Sequence, residues 1–349
     1  MKSNRIKKII AVFLAFFCLS MIKSSKIQPN SAHADYVEGK AECVIEAKSR
    51  RVLYQKNGDL RLPMASTTKI VTCATVLKLC KNLQETVIIP KEAVGIEGSS
   101  VYLQCGQKFT VEDLLYGLML RSGNDCATAL ALYCSPSIAD FCAQMNRLAQ
   151  EAGALNSRFE NPHGLPCNNH YTTAYDLSLI TAYAMQNPTF CEIVSTKYYK
   201  KCGWQNKNKM LSLYEDGIGV KTGYTKQAGR CLVSAGKRKN MTVICTLLNC
   251  STTYERSIKL LDDAFNSYSL EEVVKKGQIF SLQTEQGEIS AVSIESFYYP
   301  VLEEERRLFE IKTQSYTKAL KRRKGKICVG KFSIYLSKQL IFSGNLYKL

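Results

Sequence analysis

The chain has 349 residues, with 47 Lys and Arg against 30 Asp and Glu, and a formal charge of +17 at neutral pH. That length is enough for a substantial core. The basic charge is spread along the chain, with one denser run at Lys318–Lys326, and no nucleic-acid-binding module accompanies it; on a chain outside the cytoplasm such a surface would meet anionic polymers and lipid headgroups rather than nucleic acid.

The N-terminus carries Lys2, Arg5, Lys7 and Lys8, then an apolar run from Ile9 to Ile22, and closes on Ala32-His33-Ala34. A basic start, a short apolar stretch and small residues at a cleavage position describe a secretory signal peptide over residues 1–34, cut before Asp35. Its removal takes away only basic groups and leaves a formal charge of about +11. Glu42–Tyr54 reads as a hairpin turning through Lys48–Arg51. Apolar residues recur at helical spacing from Ser66 to about Lys81, over Val111–Leu120, Cys126–Cys134, Ala139–Ala152 and Thr172–Gln186. Ile218–Tyr224, Arg230–Ala235 and Thr242–Asn249 are strand-like, and the last two are joined by a turn at Gly236–Met241. Ser257–Tyr268 returns to helix. Residues 275–349 are β-rich and read as a separate small domain after a catalytic domain over 35–270. The fold class is therefore α/β, with strands at both ends of a helical middle.

The 15 cysteines sit largely inside apolar periodic runs, which suits small buried hydrophobes better than a disulfide framework. So many apparent free thiols in an exported chain suggest life without oxygen. There is no C-x-x-C pair, and only His163 and His170 remain after processing, so neither zinc nor an organic cofactor is expected.

Three short motifs carry chemistry. Ser66-Thr67-Thr68-Lys69 opens a predicted helix, where residues i and i+3 share a face and the Lys69 amine can stand beside the Ser66 hydroxyl. A serine becomes a nucleophile when a base takes its proton, and a lysine with a depressed pKa can be that base; a helix N-terminus and nearby cations would depress it. Ser122-Gly123-Asn124 falls in a break between helices, and Lys221-Thr222-Gly223 lies on a strand, where Lys221 and Thr222 can meet a carboxylate and Gly223 lets another backbone come close. Each motif alone is weak: Ser20/Lys23 and Ser315/Lys318 repeat the first spacing, and Ser343–Asn345 repeats the second. Only the set at 66, 122 and 221 has all three in order on helix, loop and strand, the pattern of serine-lysine acyl-transfer enzymes.

With these motifs the sequence resembles the low-molecular-mass penicillin-binding proteins, the serine-type D-alanyl-D-alanine carboxypeptidases. The likeness extends through Leu62–Ile70, Leu118–Asp125, Asn161–Pro166, His170–Asp176 and Gly219–Thr225, and covers residues 38–268 well and the β tail more loosely. It implies a β-lactamase/transpeptidase-like domain, an antiparallel sheet with helices and a helical subdomain, followed by the small β domain. It further implies an acyl-enzyme on Ser66, with Lys69 as base, Ser122 relaying a proton to the leaving amine, and Asn124 holding substrate backbone and Lys69. Lys221 and Thr222 would recognise the terminal carboxylate, Gly223 would let the substrate backbone approach the strand, and the N–H groups of Ser66 and Tyr224 would form the oxyanion hole. The implied partners are peptidoglycan pentapeptides and, as covalent inhibitors, β-lactams. Family members commonly end in an amphipathic helix on the membrane. No such helix is evident after this β tail, which leaves membrane anchoring open, and peripheral membrane or wall association is the expectation from the basic surface.

Other readings stay open on the same residues. Ser122 and Asn124 also suit a helix cap, Lys221–Gly223 a solvated strand end, and His163 and His170 the ordering of a loop. A D,D-endopeptidase would use the same motifs. A β-lactamase would need a carboxylate for its deacylating water, and no E-x-x-x-N pattern lies between the second and third motifs. A non-catalytic wall-binding protein would have no use for intact motifs.

Overall fold

The structure, a computed structural model, describes residues 38–285, 287–316 and 326–349, with the backbone of 322–323. The expected signal peptide and most of the basic run at Lys318–Lys326 lie outside the described residues.

β1 (Ala41–Glu46) and β2 (Val52–Lys56) form the expected hairpin. A 3-10 turn, Ala65–Thr68, then leads into α1 (Lys69–Leu79). A small hairpin of β3 (Thr86–Ile88) and β4 (Lys108–Thr110) precedes α2 (Val111–Tyr116), whose start is fixed by a capping box between Thr110 and Asp113. The helix expected to run to Leu120 does not. At Gly117 it widens into a π-type turn ending at Arg121, and Ser122 follows in the left-handed region at φ 64°. α3 (Asn124–Cys134), α4 (Ile138–Ala152), α5 (Ala174–Ala184) and α6 (Pro188–Ser195) complete the helical layer. Ser137, Thr173 and Asn187 cap the last three through backbone N–H groups. A two-stranded loop of β5 (Tyr198–Tyr199) and β6 (Trp204–Gln205) and the short α7 (Met210–Leu213) lead to β7 (Gly217–Thr225), β8 (Gly229–Arg238) and β9 (Met241–Leu248). α8 (Thr253–Ser267) closes this part.

The main sheet is antiparallel throughout, in the order β2-β1-β9-β8-β7. Its strands alternate between two buried faces, as a period of two requires. Cys43, Ile45, Ile244 and Leu248 join the core with the helical layer, while Val44, Val243, Cys245 and Leu247 pack with Leu260, Leu261 and Ala264 of α8. Thr246 would be polar in the first core, and its hydroxyl is satisfied at 2.8 Å by Ser178 of α5. Among the described residues the sheet thus ends at β7, whose outer edge pairs with no further strand and faces the Ser66 turn.

The C-terminal part begins at Ser269. It comprises β10 (Ser269–Val274), β11 (Ile279–Thr284), β12 (Gly287–Val292), β13 (Phe297–Val301), β14 (Phe309–Ser315), β15 (Arg322–Arg323), β16 (Lys326–Leu336) and β17 (Gln339–Lys348). β10 pairs with β13, and the others form a sheet of their own around Leu282, Phe332, Ile334 and Leu346. Ser315, Ser343 and Asn345, the repeats of the first two motifs, stand on this sheet's strands and not among the residues of the Ser66 site.

Candidate active site

Ser66 sits in the 3-10 turn and Lys69 opens α1, so the two are joined by a fixed local geometry. Lys69 is completely buried, and its Nζ lies 2.9 Å from Ser66 Oγ, 2.6 Å from Asn124 Oδ1 and 2.7 Å from the His163 carbonyl oxygen. The last two partners can only accept, so each takes one N–H. The third direction points at Ser66. As a cation Lys69 donates a third N–H there; as a neutral amine it presents its lone pair and accepts the Ser66 O–H. Burial, then the charge of Lys221, holds the Lys69 pKa well below its ordinary value. Burial is the larger cause, ahead of the helix terminus and cations expected from the sequence.

Asn124 is held on three sides. Besides Lys69, its side-chain amide donates to the Glu97 carbonyl, and its backbone N–H bonds Ser99 O at 2.7 Å. Asp125, beside it, was not singled out by the sequence. Its carboxylate accepts the Ser100 hydroxyl and the N–H groups of Val101 and Leu103 at 3.0–3.1 Å, tying the 97–103 loop across the site. Cys126 fills the space under the π-type turn. A Cβ on Gly117 would come within 2.7 Å of its sulfur, and one on Gly123 within 2.9 Å.

The third motif runs along β7. A Cβ on Gly223 would come within 3.1 Å of the Ser66 backbone nitrogen and 3.0 Å of Met64 O, so a side chain here would press on the Ser66 turn and glycine lets the strand edge lie this close without displacing it. A cleft of about 330 Å³ opens here, lined by Ser66, Ser122, Thr222, Gly223, Tyr224 and the cationic side chains of Lys207 and Arg230. Lys221 stands on β7 beside Thr222. It is 2% exposed and lies behind the cleft, with its Nζ donating to Thr222 O at 2.9 Å. Burial lowers its pKa to about 7, helped by Lys207. Asn124 is buried against Lys69 and is not among the residues lining the cleft. The cations that reach the cleft, Lys207 and Arg230, carry no motif and stand 141 and 164 residues from Ser66 in a chain with basic residues throughout, so spacing could not find them.

His163 and His170 order the loop rather than react. His170 accepts the Glu160 N–H at Nδ1, so its Nε2 carries the proton and donates to Thr68 Oγ1 at 2.8 Å. Burial depresses both rings, His163 to about 3 and His170 to about 4, keeping them neutral. Gly164 is required between them. Its φ is 89°, and a Cβ there would sit 1.9 Å from Ala65 O.

Larger clefts lie elsewhere, one of about 760 Å³ beside α4 and one of about 690 Å³ near the start of β9, but neither holds any of these groups. A buried lysine poised on a serine at the edge of an antiparallel sheet defines a serine hydrolase that works through an acyl-enzyme. The comparisons with known proteins agree. Residues 28–252 match the family described as D-alanyl-D-alanine carboxypeptidase, peptidase family S11. D-alanyl-D-alanine carboxypeptidase DacF of Bacillus subtilis is 33% identical over 255 residues, 69% of this chain and 66% of that one. A D-alanyl-D-alanine carboxypeptidase of Streptomyces is 40% identical, over 56% of this chain and 75% of that one. Among solved structures, penicillin binding protein 5 from Haemophilus influenzae superposes with a TM-score of 0.75 at 26% identity, covering 89% of this chain and 96% of that one. The chain belongs to the serine-type D-alanyl-D-alanine carboxypeptidases of peptidase family S11.

Proposed function

We propose that this carboxypeptidase works outside the cytoplasm, on peptidoglycan stem peptides ending in D-Ala-D-Ala, with the residues above in the following roles. The observation that carries the reading is the Lys69 amine, fixed by two carbonyl oxygens so that its remaining position points at Ser66. The peptide lies along the open edge of β7. Its terminal carboxylate meets the Thr222 hydroxyl and the Lys207 and Arg230 cations, with the Lys221 charge behind them. Neutral Lys69 takes the Ser66 proton as Oγ attacks the penultimate carbonyl, and the N–H groups of Ser66 and Tyr224 hold the developing oxyanion. Collapse of the tetrahedral intermediate breaks the C–N bond, and Ser122 relays the proton held by Lys69 to the departing D-alanine amine, which leaves the lysine neutral again. Water, deprotonated by the same lysine, then clears the acyl-enzyme. A β-lactam follows the first half of this path and stays on Ser66. No acidic side chain lines the cleft among the described residues, which favours a peptidase over a β-lactamase with a carboxylate-activated water. The basic, apolar and A-x-A pattern of residues 1–34 supports export, and an exported protein beginning at Asp35 by N-terminal sequencing is the expected result.

The deciding experiment follows free D-alanine from a synthetic peptide ending in Lys-D-Ala-D-Ala, with Ser66→Ala as control. Release that disappears in the variant supports the proposal. Penicillin labelling of Ser66 without release moves the function to cross-link cleavage, and neither release nor labelling leaves a wall-binding protein.

A further inference from the structure

α1 carries Lys69 at its start, and α3 carries Asn124 at its start. Their far ends also meet. Cys80 closes α1, its N–H bonded to Val76 O at 2.8 Å, and Cys134 is the last residue of α3. The two sulfurs are 3.3 Å apart, against about 2.05 Å in a disulfide. Both residues are half-buried, so a small oxidant can reach them. Cys80 has left the helix, with extended backbone at φ −91° and ψ 120°, and Ser135 after its partner is extended too. Neither sulfur is therefore locked at both ends by helical backbone. The other buried cysteines behave differently. Cys43, Cys73, Cys231 and Cys245 lie in the core with thiols that burial pushes up, to about 12 for Cys43 and Cys245, and they are chemically quiet. At the pair the Cys80–Cys134 hydrogen bond is the largest cause of both shifts, drawing the Cys80 thiol below its ordinary value and pushing the Cys134 thiol above its own.

We propose that Cys80 and Cys134 are a redox-closable pair whose disulfide staples α1 to α3, and with them the Ser66–Lys69 turn to Asn124. The proposal does not depend on which peptide the enzyme trims. Closure needs a disulfide-class oxidant. The Cys80 thiolate attacks one of its sulfurs, forming a mixed disulfide and expelling one thiolate. The Cys134 thiol then loses its proton and attacks Cys80 Sγ, expelling the second. The protein loses two electrons and two protons, and the oxidant becomes two thiols. In reducing surroundings the pair stays open. Closing the loop between residues 54 positions apart restricts the unfolded chain, so the staple stabilises the enzyme against heat without altering the reacting groups.

The test treats the purified enzyme with glutathione disulfide, alkylates the remaining thiols and maps peptides without reduction. The expected result is one cross-linked peptide joining the Cys80 and Cys134 segments, lighter by two hydrogens. The oxidised enzyme should melt about 5 °C or more above the reduced form and hold penicillin-labelling capacity longer on heating. Both effects should vanish in Cys134→Ser. The comparison of oxidised and reduced wild type stands even if that variant folds poorly. Both cysteines recovered as free thiols, glutathione adducts in place of the cross-link, or a cross-link with unchanged melting would each overturn the proposal.

Discussion

Two buried lysines, Lys69 and Lys221, serve one site, and after burial the Lys221 charge is what most lowers the Lys69 proton affinity, while burial and Lys207 lower that of Lys221. The consequence for catalysis is that Lys69 can lose its proton well below its ordinary value, while substrate binding weakens above about pH 7, where Lys221 gives up its charge. The consequence for stability has a definite sign. Lys221 releases its proton near pH 7 in the folded protein but at its ordinary value of 10.5 when unfolded. Between those values the unfolded chain binds the extra proton, so this group's contribution to stability improves with rising pH. Below about 7 the charge must be buried, and its full cost is present. Lys221→Met removes that cost while keeping the stem's packing. Scanning calorimetry should show the variant melting several degrees above wild type at pH 6, with the difference shrinking towards pH 10, while its penicillin acylation slows at least about tenfold. A variant less stable at pH 6 would mean that contacts of the ammonium outweigh its desolvation. The Lys221 role was the least legible part of the site. Spacing placed it on a strand in the right order, but burial depends on the packing of β7 against residues more than 140 positions earlier.

Helices and strands were legible where periodicity was strong, and their ends were set by chemistry that periodicity does not carry. α5 was expected from Thr172 and starts at Ala174, because Thr173 accepts the Asp176 N–H and becomes its cap. The helix at Ser66 begins as a 3-10 turn. The helix expected to reach Leu120 is interrupted at Gly117, where Cys126 and Trp204 crowd any larger residue, and that interruption puts Ser122 into its left-handed turn. The loop at Asn161–Leu165 shows how much of a site lies in segments without periodicity. The Asn161 side chain accepts the Gly164 N–H at 2.7 Å and donates to Leu165 O at 3.0 Å, and Thr72 donates to Pro162 O at 2.6 Å. These bonds aim the His163 carbonyl at Lys69. Gly164→Ala puts a Cβ against the Ala65 carbonyl from a φ of 89°, so the loop or the Ser66 turn must move. The expected cost is at least about 3 kcal/mol, read as a lower melting temperature. Labelling by fluorescent penicillin should slow at least about a hundredfold while far-ultraviolet circular dichroism keeps its native shape. Wild-type labelling in a folded variant would show that the loop does not position Lys69.

The order β2-β1-β9-β8-β7 separates two jobs at opposite edges of the main sheet. β7 takes part in the active site, and the β1–β2 hairpin holds the C-terminal β structure, which has its own core around Phe332 and Ile334. Arg51, at the start of β2, is the principal link. It donates to Pro300 O and Glu305, both at 2.6 Å, and its guanidinium lies 5.2 Å and 5.1 Å from the ring centres of Tyr268 and Tyr299. The pair with Glu305 is mostly shielded from water, with side-chain exposures of 14% and 17%, so it is worth more than a surface ion pair. Nothing in the sequence marked Arg51 among the chain's many basic residues, because its partners lie some 250 positions away. Truncating it to alanine removes the ion pair, the carbonyl contact and two cation–π contacts, together about 2 kcal/mol. Most of that loss should appear as local opening of β10 and β13 rather than as global unfolding, because the two cores are distinct. Hydrogen exchange in those strands should therefore quicken about tenfold or more in Arg51→Ala, while acylation of Ser66 by penicillin stays within about twofold of wild type. Equal slowing of acylation would show that the two edges of the sheet are coupled and that the C-terminal structure helps to hold the active site.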